Sequence, residues 1–492
     1  MTTSSSKAWM PYLVFLLALP WWASGARAWH QAGQAEPPVA VVEPRTDNPV
    51  ALEAVEEPVV VPGAGDVPSP VGGAWANAGA GFASGNPGAT NLFTGTGALG
   101  RVLGLAEDSP VRLGGIWIGD ANWLMAGGLQ PGDWTGDSLT LLEANLDGDR
   151  AFNWKGSLFS IEFLQYAGQQ ANLDAGSVQG YNNLPGPPPL VRQELYKLWW
   201  RQELLDGRLV FRVGKQVPTV DFANVVNPTP TNLASAAIPA VTGLIFTPAF
   251  VNPAMLGPTP GYYNSATGFS TAINLTERFY VRYGVFDGSL AVGEQTGLMG
   301  PQFNGYYFNI WEAGRSWALG PFEKPGRFGL GFWHQTGELP TPAGGRDNGA
   351  TGFYLFGTQR LWFRNPGVDI SGISGFYQFG CNSSNAMMVR QFFGAGLTGF
   401  SLIPSRPKDS MGCGFGWGLL NEDPQAGSFF FGGVGPNPSP LRDNELMLQG
   451  YYQAHLFGDT FLEPALSFLP NPGIRPDIPA AWAMTLRILC QF

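Results

Sequence analysis

Between residues 192 and 216 the chain alternates apolar and polar side chains with a period of two, interrupted by Leu205, Asp206 and Gly207. Alternation of this kind puts successive side chains on opposite faces of a strand, and an Asp-Gly step between two such runs signals a tight hairpin turn. On the first strand Tyr196, Leu198 and Trp200 share one face, while Lys197, Trp199, Arg201 and Glu203 share the other. On the second, Leu209, Phe211 and Val213 oppose Arg208, Arg212 and Gln216. The pattern recurs downstream. Phe279, Val281, Tyr283 and Val285 oppose Arg278, Tyr280, Arg282 and Gly284; Leu446, Leu448 and Tyr452 oppose Glu445, Gln449 and Gln453. Leu462, Leu466 and Phe468 oppose Glu463 and Ser467, with Phe461 out of step. The last strand carries Trp482, Met484, Leu486, Ile488, Cys490 and Phe492 on one face and Thr485, Arg487 and Gln491 on the other. Gly, Pro, Asn and Asp clusters separate the strands in short and long forms, as the short periplasmic turns and long extracellular loops of a membrane barrel would.

A soluble sandwich would also alternate, so composition has to decide between them. Only 13% of the 492 residues are charged, about half the share usual for a soluble domain, whereas 34 Phe, 17 Trp and 68 Gly are present. Past the N-terminus no run of eighteen apolar residues occurs, which excludes a helical membrane protein. Strands that alternate lipid-facing and water-facing residues average to neutral hydropathy, so an all-β, transmembrane antiparallel β-barrel over residues 108–492 is the expected fold. Tyr196, Trp200, Tyr283, Tyr452 and Trp482 then fall on its outer face, where interfacial girdles use Tyr and Trp. The net charge of −10 gives no support to nucleic-acid binding.

Residues 1–28 have the layout of a secretory signal, with Lys7 ahead of an apolar stretch and Ala26-Arg27-Ala28 as a cleavage site. Residues 29–71 are rich in Pro, Val and acid, with Arg45 as their only Lys or Arg. Such a segment buries too little apolar surface to offset its ordering entropy, so it is expected to be a disordered periplasmic tail serving as a spacer. Residues 72–107 form a Gly/Ala-rich lead-in with a short amphipathic helix expected within 94–106, through Leu99, Val102, Leu103 and Leu105.

Enzyme chemistry finds no support. His30, His334 and His455 sit in no metal-binding spacing, and His334 and His455 are expected to cap strand ends. No Gly-x-Ser-x-Gly elbow or phosphate-binding loop occurs, and pairs such as Gly394/Gly396 and Gly412/Gly414 read as strand or bend glycines. No cofactor is expected. Cys381 and Cys413 could pair across extracellular loops, while Cys490 reads as a small apolar residue.

Several stretches resemble the carbohydrate-selective porin family of OprB type, over roughly residues 86–492. They are residues 194–199 (Glu-Leu-Tyr-Lys-Leu-Trp), 205–209 (Leu-Asp-Gly-Arg-Leu) and 213–216 (Val-Gly-Lys-Gln) with Asp221 and Phe222; then 329–337, 402–409, 463–467 and 471–473. The resemblance implies a barrel of about 16 strands, an even number as bacterial barrels require. It also implies an outer-membrane location and passive diffusion of small sugars, monosaccharides such as glucose. The strand closing on Phe492 resembles the signal by which barrel-assembly machinery recognises outer-membrane proteins. Two stretches depart from the family pattern: the acidic tail, and the Pro-rich stretch at 250–260.

A sugar channel needs donors and acceptors that replace lost water, and aromatic faces for the apolar faces of the ring. Water-facing parity nominates Lys197, Arg201, Arg208, Arg212, Arg282 and Arg487 as donors, Glu203, Glu445 and Glu463 as acceptors, and Trp199 as a stacking surface. The alternative for each is a charge that solvates the wall and pairs across strands. Also open are a general or weakly anion-preferring porin, a structural or adhesive barrel, and assembly as monomer or trimer. Outer-membrane lipid is the other expected partner.

Overall fold

The computed structural model describes residues 98–492 apart from 107, 187–188, 227–228, 231–236, 239–241, 262–263, 293–299 and 433–437. The expected signal sequence, the tail and most of the lead-in lie outside the described residues. Of the expected helix, Ala98–Val102 is observed, with Val102 and Leu103 exposed to solvent.

Sixteen strands close into one barrel, each antiparallel to its sequence neighbours. They are β1 (Val111–Ala126), β2 (Trp134–Asp147), β3 (Ser157–Ala167), β4 (Val191–Leu204), β5 (Leu209–Gln216), β6 (Ala266–Asn274), β7 (Phe279–Asp287) and β8 (Tyr307–Leu319). The series continues with β9 (Lys324–Pro340), β10 (Arg346–Phe363), β11 (Gly372–Asn382), β12 (Val389–Phe400), β13 (Ser410–Leu420), β14 (Asn444–Phe457), β15 (Thr460–Leu469) and β16 (Ala481–Gln491). The seam joins β1 to β16 with Asp120 opposite Arg487 and Trp123 opposite Met484. Closure removes the unpaired edges that an open sheet would expose.

The predicted faces hold along β16, where Ala481, Ala483, Thr485, Arg487 and Leu489 are buried while Trp482, Met484 and Leu486 point out. Large apolar side chains are exposed around the wall, among them Leu142, Ile161, Leu198, Phe269, Trp311, Phe332, Trp417 and Leu466, the inverse of a soluble protein and what hydrocarbon contact requires. Tyr196 is an exception to the outward reading. Glu162 pairs with Lys197 but Phe163 with Leu195, so Tyr196 is the extra residue of a β-bulge and packs inward among Leu164 and Tyr166. Trp200, Tyr283, Tyr452 and Trp482 keep their outward parity.

One end of the barrel carries tight connections, including 205–208, where Leu205, Asp206 and Gly207 all adopt positive φ. The other end carries the long ones, at 168–190, 217–265 and 421–443. Strands β5, β6 and β7 have only eight or nine residues, against 17 and 18 for β9 and β10. The chain therefore leaves the wall part-way up at Gln216 and folds into the lumen.

Inside, one expectation fails. The inner face is not uniformly hydrophilic: Phe222, Leu244, Ile245, Phe246 and Met255 of the 217–265 connection pack against Phe286, Phe308, Trp333, Tyr354 and Phe356 of the wall. Full burial of such side chains contributes about 1.5–3 kcal/mol each, so this connection is held like the core of a soluble protein. Glycines make the room. Gly394, Gly396, Gly412 and Gly414, read as strand or bend glycines, lie within β12 and β13 and alternate there with Gly416 and Gly418 on the inward parity; a Cβ on Gly414 would meet Leu244 Cδ1 at 2.5 Å. Gly414→Val is expected to cost about 1–3 kcal/mol by overpacking and to displace the inner segment. A lowered temperature for loss of the compact electrophoretic form would report it.

Two smaller readings are also corrected. His334 lies within β9, its Nδ1 2.8 Å from Thr351 Oγ1, and caps nothing; His455 stands near the end of β14 with Nε2 2.7 Å from the Gly458 carbonyl. Cys381 and Cys413 sit in β11 and β13 with β12 between them, and all three cysteines are free thiols.

Candidate functional site

The inner wall bears two chemically distinct sectors. On β4, β5, β7, β9 and β10 the inward parity presents Arg201, Arg212, Arg282, Arg327 and Arg360, all buried. Each stands a few residues from a connection at the same end of the barrel, a tight turn for all but Arg360, so together they form a ladder near the short-turn end. On β1, β2, β3, β14 and β15 inward-facing positions spread along the height of the wall carry Asp120, Asp137, Glu143, Glu162, Glu445 and Glu463, also buried.

Three members of the basic ladder, Arg212, Arg282 and Arg327, are laced to the descending segment 217–226. Arg212 pairs with Asp221 at 2.8 Å, and Arg282 donates to the Asp221 carbonyl and lies 3.4 Å from Glu312 Oε1. Glu312 Oε2 accepts from Ala223 N at 2.8 Å and from Tyr354 Oη at 3.0 Å, and its Oε1 accepts from Tyr280 Oη at 2.9 Å. Arg327 donates to the Asn224 carbonyl at 2.6 Å and Arg360 to the Ile370 carbonyl at 2.5 Å. Arg201 and Arg212 stand directly opposite one another on β4 and β5. Like charges in that register repel, and the Arg201–Glu203 and Arg212–Asp221 pairs offset the repulsion. The Nε groups of Arg201, Arg282, Arg327 and Arg360 have no partner among the described residues. A cavity of about 30 Å³, room for roughly one water, lies among Arg201, Arg212, Asp221, Ser270 and Arg282.

The acidic sector clamps a second inner segment. Glu445 accepts from Ser177 Oγ at 2.9 Å and from the backbone N–H groups of Val178 (2.8 Å), Gln179 (2.9 Å) and Gly473 (2.7 Å). Gln449 Oε1 accepts from Ile245 N and Phe246 N, and its Nε2 donates to the Tyr181 carbonyl, so one side chain grips both inner segments. Those segments also bond each other, through Thr247 N to the Gly180 carbonyl and Asn183 N to the Ile245 carbonyl. At the seam Arg487 holds Asp120 through Nε and Nη2 at 2.8 and 2.6 Å and donates to Asn182 and Asn183.

The nominated residues thus divide. Arg201, Arg212 and Arg282 come together in the ladder, with Glu203 at its edge. Trp199 is buried with the Arg212 guanidinium 4.4 Å over its ring, so a protein cation already covers one face. Lys197 pairs with Glu162 at 2.8 Å. Glu445 and Arg487 anchor loops; Glu463 is buried, accepting from Gln453. Arg208 is exposed within the 205–208 turn and lies off the wall. Sequence reasoning missed Arg327 and Arg360, although Arg327, Gly329 and Gly331 alternate with Phe328, Leu330 and Phe332 and could have been found by parity. It also missed Asp221, Glu312 and Gln449, whose roles depend on loops that fold back from far along the chain.

A model of the carbohydrate-selective porin, OprB family, matches residues 137–492. The chain belongs to that family. Among solved structures, the high-pH structure of Pseudomonas putida OprB is similar with a TM-score of 0.64 at 19% identity, covering 78% of this chain and 94% of the other. The low-pH structure of the same protein gives 0.49 at 15%, over 78% and 93%. An anion-selective porin from Comamonas acidovorans gives 0.45 at 11%, over 78% and 99%. No curated protein matches the sequence. As an OprB-family porin the chain is an outer-membrane β-barrel channel rather than an enzyme, and among its described residues no His, Cys, Asp and Glu group could hold a metal ion.

Proposed function

We propose that this porin passes small neutral sugars, monosaccharides such as glucose, by passive diffusion, and that it discriminates among them where the arginine ladder faces the inner segments. The supporting observation is that the Nε–H groups of Arg201, Arg282, Arg327 and Arg360 have no partner among the described residues, inside a barrel into which two anchored loops fold. A planar guanidinium can donate to two neighbouring hydroxyls, and spare donors opposite carboxylates replace the water a polyol sheds on entry. In this reading the short turns and the N-terminal tail face the periplasm, the long loops face outward, and assembly machinery engages the strand that ends at Phe492. Replacing both Arg201 and Arg212 by Ala is expected to change the permeation of glucose relative to a disaccharide in liposome swelling. Unchanged relative rates would remove the ladder from the selective step.

Anion preference is the second reading, because Arg327 and Arg360 donate to carbonyls rather than to carboxylates. A reversal potential near zero in a salt gradient would exclude it, and absence of any conductance would favour a structural barrel.

A further inference from the structure

On the outer face of β2 to β5 an apolar groove of about 430 Å³ runs over the small Ala144, between Leu146, Phe159, Ile161, Leu198, Trp200 and Val213. At the short-turn end it meets a second depression of about 460 Å³, lined by Asn153, Trp154, Lys155, Trp200, Gln202 and Phe211, with Trp200 common to both. Trp154 packs on Trp200 at 5.3 Å between ring centroids, and Trp200 Nε1 donates to Ser157 Oγ, so the shared wall is fixed. Polar chemistry is confined to the rim. Lys155 is exposed and makes no ion pair among the described residues. Gln202 has outward parity yet is 4% exposed; its Nε2 donates to the Lys155 and Glu203 carbonyls, while its Oε1 is buried without a partner among the described residues.

A cation, an acceptor with no partner among the described residues and an adjoining apolar groove match a phosphate, an N–H donor and an acyl chain. We infer that this groove holds an aminophospholipid of the phosphatidylethanolamine class, its phosphate at Lys155, one acyl chain over Ala144 and its ammonium beside Gln202, whose side chain turns to bring Oε1 to the surface of the groove. Hydrocarbon must cover this face in any case; what singles out one lipid is the buried acceptor, since an unmet acceptor in a dry site selects for a donor. A trimethylated choline headgroup has no N–H to give, and a phosphatidylglycerol headgroup offers only neutral hydroxyls, which donate more weakly than an ammonium. The inference rests on the short-turn end facing the phospholipid leaflet.

Native mass spectrometry of the delipidated full chain in detergent, titrated with phosphatidylethanolamine, phosphatidylcholine or phosphatidylglycerol of equal chain length, tests it. Retention of one phosphatidylethanolamine about fivefold more tightly than the others is expected. Lys155→Gln should weaken it about fivefold, and Ala144→Trp should abolish it by filling the groove. Both variants should leave sugar-driven liposome swelling unchanged, which separates this site from the pore. Equal retention of all lipids, or variants without effect, would mean annular lipid only and overturn the assignment. So would preferential retention of lipopolysaccharide, which would place this rim in the other leaflet.

Discussion

Glu445→Ala is expected to admit larger solutes. The substitution strands Ser177 Oγ and the amides of Val178, Gln179 and Gly473, all of which now donate to one carboxylate inside the barrel. Hydrogen bonds to a charged acceptor contribute about 1.5–3 kcal/mol each, and they are not additive within one cluster. Even about 3 kcal/mol lost would raise the detached fraction of the 177–180 segment by more than about a hundredfold. Swelling with a disaccharide should then approach the rate with glucose, while the barrel wall, paired strand to strand, stays intact in heat-modifiability gels. Unaltered size discrimination would show that this segment does not narrow the pore. Glu445→Gln keeps two acceptor lone pairs but lacks the charge, so an intermediate effect is expected.

Asp120→Ala is expected to strike stability instead. Both side chains of the Arg487–Asp120 pair are fully buried at the seam, and removing the acid takes away the carboxylate that accepts from both Nε and Nη2, leaving Glu463, opposite Arg487 on β15, as the nearby acid. Breaking such a pair typically costs about 3–5 kcal/mol, far more than the pair itself contributes relative to apolar residues of similar volume. The expected outcome is a lower unfolding temperature and a reduced yield of folded barrel. The double replacement Asp120→Leu with Arg487→Met should recover part of the loss, because it removes the buried cation along with the acid that held it. If Asp120→Ala unfolds at the native temperature, the seam is held by backbone pairing alone.

The wall was legible because its signal is local. Two-residue alternation assigns each side chain to a face without knowledge of its neighbours, and it placed Arg212, Arg282 and Arg487 inside and Trp482 outside. It failed at Tyr196, where a single bulged residue shifts parity in a way no local pattern marks. It also failed to predict what the inward side chains would touch. Glu445 reads as an acceptor facing water, but a segment arriving from about residue 178 takes its oxygens. Trp199 reads as an open aromatic face, but Arg212 lies over it. Arg208 has the parity of a lining residue, yet it stands within the tight turn, beyond the last paired position. Phe222 and Phe246 lie in the connection between β5 and β6, outside any strand pattern, and are core. In each case the missing information is the path of a connection, and connection paths are set by packing with distant elements rather than by composition.

The amides of Asn182 and Asn183, supplied by the connection between β3 and β4, complete the arginine–aspartate contact across the junction of first and last strands. Calibre and closure therefore draw on the same few atoms. A redesign that swaps this insert for a smaller one to obtain a wider bore would at the same time strip solvation from the join that makes the sheet a cylinder. Such a graft must carry its own replacement for those amides.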